Sequence, residues 1–152
     1  MATAGSQRQG TSGTYQDADL ILKLFEMRRE EKMREARRWF QTKFKATTVD
    51  EFMQQTATRE TSAFFRRVIN YWETACMFVA RGILNEEMFF ESCGEMLAVW
   101  EKVRPFLAEI RKQRKNPLFL KYTEQVALHY IEWVKAQAPE AYDWIVSLNN
   151  PD

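Results

Sequence analysis

The sequence predicts an all-α fold, a single helical bundle with a long charged N-terminal helix. Apolar residues recur at three- and four-residue steps, and no segment alternates convincingly at a spacing of two. The 152 residues include only five Gly and four Pro, so the chain has few helix-breaking positions. The 11 Phe, five Trp and five Tyr are too bulky for a solvated tail, and they predict that most of the chain packs into a core.

The chain begins with two predicted units. Residues 1–16 are small and polar, which is typical of a disordered tail. Residues 17–46 are predicted to form one long charged helix, apolar at both ends and without a broad apolar stripe in its middle. We therefore expect this helix to project from the body and to engage a partner or a second copy. Trp39 and Phe40, near its end, would then anchor the contact.

Three arginines lie close to that aromatic pair in the sequence and complete the predicted partner-binding set: Arg34, Arg37 and Arg38. An alternative is that Trp39 and Phe40 pack back on the body. The sequence leaves both arrangements open.

Residues 47–148 are predicted to form an aromatic-rich helical bundle. Thr48 and Glu51 have the spacing of a capping box at the start of a short helix. The helix that follows, over residues 59–81, has its apolar residues on one stripe: Phe65, Val68, Ile69, Trp72, Cys76 and Val79. Gly82 suits a left-handed C-cap, and Asn85 suits the N-cap of a helix that reaches residue 100.

Prolines mark the predicted boundaries in the last third of the chain. Pro105 predicts a break or a kink near residues 103–104, because proline is poorly tolerated inside a helix. Asn116 and Pro117 are predicted to open the last long helix, with Pro117 in its first turn. Pro139 either ends that helix or begins a short final one.

The charge argues against a dedicated nucleic-acid-binding protein, because the formal net charge is only +1. The charge is uneven, however, and residues 104–121 contain six basic residues and one acid. Four of these basic residues form a possible anion-binding site for phosphate or an acidic partner: Arg111, Lys112, Arg114 and Lys115. The alternative is that they complement the negative end of a helix dipole.

No catalytic or metal-binding motif stands out in the sequence. The chain has one histidine, His129, which excludes a paired Glu-x-x-His di-metal site. Cys76 and Cys93 lie on apolar stripes, as expected of buried free thiols in a reducing compartment. Buried carboxylates such as Glu73, acting with His129, would be needed for an enzyme, which is the least favoured hypothesis. We expect no catalytic residue, cofactor or metal.

From residue 64 onward the sequence resembles a bacterial family, domain of unknown function 4760. The resemblance depends on Asn70, the segment ARGILNEEMFFE, Trp100 with Pro105, Arg111, and Pro117 followed by an aromatic helix. It covers residues 60–136 and implies a helical domain and a bacterial source. It implies no activity and no catalytic residues.

The sequence-based hypothesis is a non-catalytic helical module for protein interaction or regulation, which self-associates or binds a protein partner. The alternative is an accessory protein that binds nucleic acid or phosphate through basic helix faces. No apolar run is long enough to cross a membrane, and no signal peptide is evident, so a cytoplasmic location is expected.

Overall fold

The computed structural model describes residues 12–149, which contain eight α-helices and no strand, as the all-α prediction requires. Residues 1–11 of the predicted tail lie outside the described residues. The helices, numbered in chain order, are α1 (Tyr15–Arg29), α2 (Glu31–Thr42), α3 (Val49–Gln55), α4 (Arg59–Ala80), α5 (Glu86–Ser92), α6 (Glu95–Gln113), α7 (Lys121–Gln137) and α8 (Pro139–Asn149).

The prediction of one long helix over residues 17–46 is wrong. The segment forms α1 and α2, which meet at a bend at Glu30, where φ is −59° and ψ is 138°. The Glu30 carboxylate accepts the Met33 backbone N–H at 3.0 Å and so caps the start of α2. We call α1, Glu30 and α2 the elbow.

The elbow packs against the body instead of projecting from it. In α2, Met33, Ala36 and Phe40 follow each other at helical spacings, and all three are buried. This narrow stripe packs along α4. A charged helix needs only one continuous apolar row to dock, because the long charged side chains can remain in water on its other sides.

The start of α1 is fastened to the loop before α5. The Asp17 carboxylate accepts the backbone N–H of Thr14 at 2.8 Å and that of Asn85 at 2.9 Å. These two hydrogen bonds favour the ionised form and lower the pKa of Asp17. Asp17 therefore completes a capping box with Thr14 and also joins two distant segments.

The C-terminal end of α4 and the start of α5 agree with the sequence prediction. Gly82 adopts φ +74°, the left-handed conformation that follows the C-terminus of α4. Asn85 accepts the Met88 N–H at 2.9 Å and caps α5. The predicted helix over residues 85–100 is nevertheless two helices, because Cys93 leaves the helical region with φ −125° and ψ 46°. Gly94, a weak helix former, stands at this break.

Pro105 does not end or divide α6, which continues from Glu95 to Gln113. The proline itself is exposed, so its missing N–H lies on the solvent side of the helix. On both sides of it Val103, Phe106 and Leu107 are buried, each with at most 3% of its surface exposed. Burying each such side chain stabilises the fold by about 1.5–3 kcal/mol, which together outweighs the cost of about 3 kcal/mol for an interior proline.

The start of α7 also differs from the prediction. Residues 116–120 form a turn, Leu120 adopts φ +56°, and α7 begins at Lys121 instead of near Pro117. The cap comes from α4, because the Glu73 carboxylate accepts the backbone N–H groups of Tyr122 and Thr123 at 2.7 and 3.3 Å. Burial raises the pKa of Glu73, and these hydrogen bonds oppose that rise.

Aromatic side chains make up much of the core. Trp72 is fully buried, and a cluster of rings joins α2, α3, α4 and α6 with centroid separations between 4.8 and 6.4 Å. The members of this cluster are Phe40, Phe44, Phe52, Phe65 and Phe106. Residues from the elbow and from the central helices therefore share one interior.

Candidate functional site

An open apolar groove of about 600 Å³ lies between the elbow and α4. Its walls come from α1, the bend, the start of α2 and the middle of α4. The lining residues are Leu20, Lys23, Leu24, Met27, Glu30, Met33, Arg67, Asn70, Tyr71, Thr74 and Phe78. We call this surface the elbow groove.

One wall of the elbow groove is an apolar row on α1. Leu20, Leu24 and Met27 are spaced four and three residues apart, which places them on the same face of the helix. Leu24 is buried at the base, whereas 56% of Met27 is exposed at the mouth. The bend at Glu30 directs α1 so that this row faces α4 across open space.

The other wall belongs to α4 and is bonded to α1 at the base of the groove. Tyr71 donates its hydroxyl to the Leu24 backbone carbonyl at 2.6 Å. Burial strongly raises the pKa of Tyr71, so this hydroxyl stays protonated and keeps donating. Thr74 and Phe78 continue the wall toward the C-terminus of α4.

An ion-pair cluster behind the groove holds the elbow in shape. The carboxylate of Glu95, in the first turn of α6, accepts hydrogen bonds from Nε and Nη2 of Arg37, each with an N–O distance of 2.9 Å. Arg28 Nη1 lies 3.8 Å from the same carboxylate. Arg37 also donates Nη1 to the Arg28 carbonyl at 3.3 Å, so α1, α2 and α6 are tied at one point.

Arg28 is buried between aromatic rings as well as beside Glu95. Its guanidinium carbon lies 4.3 Å from the ring centroid of Phe25 and 5.2 Å from that of Trp72. Only 7% of Arg28 is exposed. The ring faces compensate part of the hydration that a buried cation loses.

Polar groups stand at the rim of the elbow groove. Lys23 on α1 and Arg67 on α4 are exposed on opposite walls, and Asn70 lies one turn beyond Arg67. Glu30 is the acid among the lining residues, and its carboxylate is occupied at the start of α2. The backbone N–H groups of Met33 and Lys32 lower the pKa of Glu30, with a smaller contribution from Arg67.

The structure separates the five residues of the predicted partner-binding set. Phe40 is 2% exposed and lies in the core, so it is not a surface anchor. Trp39 is half-buried, with its ring 5.3 Å from that of Phe44 and 5.9 Å from that of Phe64. The aromatic pair thus packs back on the body, which was the alternative.

The three arginines of that set have different environments. Arg37 is bound to Glu95, whereas Arg34 and Arg38 are exposed. None of the three lines the elbow groove. A signal for the groove did exist in the sequence, namely the spacing of Leu20, Leu24 and Met27, but its opposite wall could not be inferred from it.

The predicted anion-binding cluster is also divided. Arg111 donates Nε to the Phe119 carbonyl at 2.8 Å, and its Nη1 lies 3.2 Å from Glu124. The Arg114 guanidinium lies 4.9 Å from the Phe119 ring centroid. Lys112 and Lys115 are exposed at the end of α6 and in the turn that follows. Arg111 thus braces the turn before α7.

The structure also shows where the side chains considered for catalysis lie. His129 is exposed, with Nδ1 3.4 Å from Glu86 Oε2. Cys76 and Cys93 are buried free thiols, and burial raises the pKa of both. Glu73 is occupied by the N-terminus of α7. Within residues 12–149 no three His, Cys, Asp or Glu side chains form a group that could hold a metal ion.

A second groove of about 440 Å³ lies between α2, α6 and α8, next to an unusual lysine. Lys102 donates Nζ to the carbonyls of Phe40, Gln41 and Phe44 at 2.7, 3.1 and 3.1 Å. Burial, together with nearby Lys45, lowers the pKa of Lys102 to about 8. Lys102 belongs to α6 and therefore caps the C-terminal end of α2 by binding backbone carbonyl groups there.

A comparison with known protein families identifies the family of this chain. The sequence profile of a domain of unknown function (DUF4760) matches residues 13–133. The chain belongs to the DUF4760 family. The match begins just before α1 and ends within α7, so the DUF4760 domain includes the elbow and both walls of the elbow groove. This is a longer region than residues 60–136, over which the sequence resemblance was drawn.

No curated protein and no solved structure matches the chain. Among residues 12–149 of this DUF4760 protein, no helix is both long and apolar enough to cross a membrane.

Proposed function

We propose that this protein is a non-catalytic protein-interaction module whose binding surface is the elbow groove. The observation that carries the proposal is the open apolar space between α1 and α4. Met27 leaves 56% of its surface in water there, beside the apolar side chains of Leu20 and Phe78. Covering apolar surface stabilises a complex by about 25 cal/mol per Å², so such a groove favours a partner that fills it.

The chemistry of the lining supports binding more than catalysis. Its titratable groups are Lys23, Glu30, Arg67 and Tyr71. Glu30 is already held by backbone N–H groups, and the Tyr71 hydroxyl is bonded to the Leu24 carbonyl. The single histidine and the two cysteines do not line the groove. Cofactor chemistry is not part of the proposal.

The proposal is tested by photo-crosslinking in the source cells. A benzophenone amino acid replaces Met27 at the groove mouth or, as a control, Leu128, which is 50% exposed on α7. We expect a discrete protein adduct from position 27 and none of the same mass from position 128. Thr74→Arg, an exposed position on the opposite wall, is expected to abolish the adduct by filling the groove. An adduct that persists unchanged in the Thr74→Arg protein would contradict the proposal.

The partner in this proposal is a second protein or a second copy of the chain, and the solution mass separates the two. Sedimentation of the purified protein measures a dimer directly. If a dimer forms and Thr74→Arg dissociates it, the module is self-associating. A monomer that still gives the Thr74-sensitive adduct in cells has a different protein as its partner.

Binding of phosphate or nucleic acid through basic faces is the weaker candidate. It is supported by the exposure of Lys112 and Lys115, whereas Arg111 is paired with Glu124. Affinity for a labelled oligonucleotide that falls steeply with rising salt, and that Lys112→Glu with Lys115→Glu abolishes, would favour it.

We further propose a location in the reducing cytoplasm of a bacterium. The support is that Cys76 and Cys93 are both free and buried, as expected where thiols stay reduced. The family resemblance supports the bacterial source.

A further inference from the structure

We infer that the occupant of the elbow groove is an amphipathic helix of a partner protein, with acidic residues on both sides of its apolar stripe. This inference rests on the proposed function, and it adds the shape and the charge of the partner.

The dimensions of the groove suit a helix. The α4 wall extends from Arg67 to Phe78, a length of about 16 Å at 1.5 Å per residue. Three turns of a docked helix have the same length. Both walls are helices that present side chains at three- and four-residue spacings, so a third helix can pack its ridges between theirs.

The apolar lining can adjust to such an occupant. Met27 and Met33 stand on either side of the bend, and methionine side chains are unbranched and flexible. Leu24 and Tyr71 form a fixed base, because the Tyr71 hydroxyl is bonded to the Leu24 carbonyl at 2.6 Å. The groove thus combines a rigid floor with an adaptable mouth.

The charges at the rim of the groove favour acidic residues on both sides of the apolar stripe of the partner helix. Lys23 and Arg67 lie on opposite walls, so a helix in the groove has a cation beside each of its edges. Glu30 is ionised, because the Met33 N–H favours its charged form, but its single negative charge against the two cations leaves a formal charge of +1 on the lining. Asp19 and Glu26, the acids nearest to Lys23 in sequence, do not line the groove. Acidic residues at the edges of the bound helix would pair with both cations, and basic residues there would be repelled.

The test uses two designed helical peptides of about 18 residues, or ~27 Å, with the same Leu and Met stripe. One has Glu on both sides of the stripe and the other has Lys. Binding of each labelled peptide to the whole protein is measured by fluorescence anisotropy at physiological salt. We expect the Glu peptide to bind at least about tenfold more tightly than the Lys peptide.

A double charge reversal and a matched control sharpen the test. Lys23→Glu with Arg67→Glu should invert the preference between the two peptides, and both residues are exposed, so the fold is retained. Lys43→Glu with Arg59→Glu makes the same change in net charge at exposed positions outside the groove, and it should leave the preference unchanged.

The remaining outcomes overturn the inference in distinguishable ways. Equal binding of both peptides would remove the charge argument and leave the groove as a binding surface. If neither peptide binds while the Thr74-sensitive adduct forms in cells, the proposed function survives and the helical occupant does not. Oleate that binds the protein, is blocked by Thr74→Arg and excludes both peptides would identify a lipid ligand. A dimer that Thr74→Arg dissociates would identify a second copy.

Discussion

The elbow and α4 pack against each other, yet different interactions hold them in place. In α4 eight of the 22 residues are buried, and they form one stripe from Phe65 through Trp72 to Val79. The 12 residues of α2 bury only Met33, Ala36 and Phe40. Polar contacts add to the fixation of the elbow. Glu95 binds Arg37 and lies beside Arg28, and Asp17 accepts the Asn85 N–H.

A sparse apolar row is therefore sufficient to dock a helix when polar contacts define the angle of approach. In α4 the continuous buried stripe is the main determinant of the position of the helix, and Glu73 and Tyr71 add polar contacts to α7 and α1. In the elbow, the direction of α1 depends on a capped bend at Glu30 and on an ion pair to α6. The groove exists because that angle holds α1 apart from α4.

The largest effect is expected for Phe40→Ala, which tests whether the elbow belongs to the core. Phe40 is 2% exposed and stacks on Phe44, so its truncation should lower the free energy of unfolding by about 3–5 kcal/mol. Urea denaturation measures this change. Met53→Ala, at a position that is 59% exposed, should change it by less than about 0.5 kcal/mol. A similarly small loss for Phe40→Ala would mean that the elbow detaches in solution.

A smaller effect is expected for Glu95→Gln, which removes the charge that holds the elbow. Arg37 and the buried Arg28 would lose their anionic partner, and we expect a loss of about 2–4 kcal/mol in the free energy of unfolding. The control is Glu91→Gln, an exposed position on α5. If the two variants unfold at the same urea concentration, the ion pairs add nothing to the fixation of the elbow.

Gly82→Ala tests a helix end that depends on the local backbone conformation and not on contacts between helices. A Cβ at Gly82 would meet open space, but φ +74° is costly for alanine, so we expect a loss of about 1 kcal/mol. Gly94→Ala is the matched control. Gly94 has φ −58°, and its added Cβ would lie 3.5 Å from the Tyr130 hydroxyl, an ordinary contact. Thermal denaturation should therefore show destabilisation at position 82 and none at position 94.

The last expected effect is the pH dependence that Lys102 confers on the end of α2. Its pKa is lowered from 10.5 to about 8 in the folded protein. Between these pH values the unfolded chain binds more protons at this site, so stability should rise with pH across this window. The difference in unfolding free energy between wild type and Lys102→Met should therefore increase from about pH 8 upward. Lys43→Met, an exposed control, should show no such trend.

Parallel pH curves for wild type and Lys102→Met would show that the three carbonyl acceptors hold the Lys102 ammonium in its charged form. In that case the lysine is a permanent cap of α2, and the elbow has no titratable contact in this range.

Some features were predictable from neighbouring residues. Gly82 and Asn85 mark the end of α4 and the start of α5 through interactions within a few residues, and both predictions are confirmed. The Thr48 side chain caps α3 by accepting the Glu51 N–H at 3.2 Å, as the spacing indicated. The Glu51 carboxylate instead accepts the Thr47 N–H, one residue earlier than in a full capping box.

Other features were not predictable, because their causes lie in distant segments. Glu30 is not a helix-breaking residue type, yet the chain bends there. The start of α7 is capped by Glu73 from α4, so Pro117 was a misleading signal. The elbow groove was not predicted, because the apolar pattern of one helix indicates only one of its walls. The position of the opposite wall depends on the distance between two helices, which the sequence does not show.

The helical class, most of the buried stripes and the helix ends that glycine and asparagine define can be read from the sequence alone. These properties depend on the 3.6-residue period and on backbone preferences, which act over a few residues. The docking of the elbow, the cations that share Glu95 and the open apolar groove between α1 and α4 became visible only in the folded protein. Such features depend on the distances and angles between helices, and these follow from the packing of the whole chain.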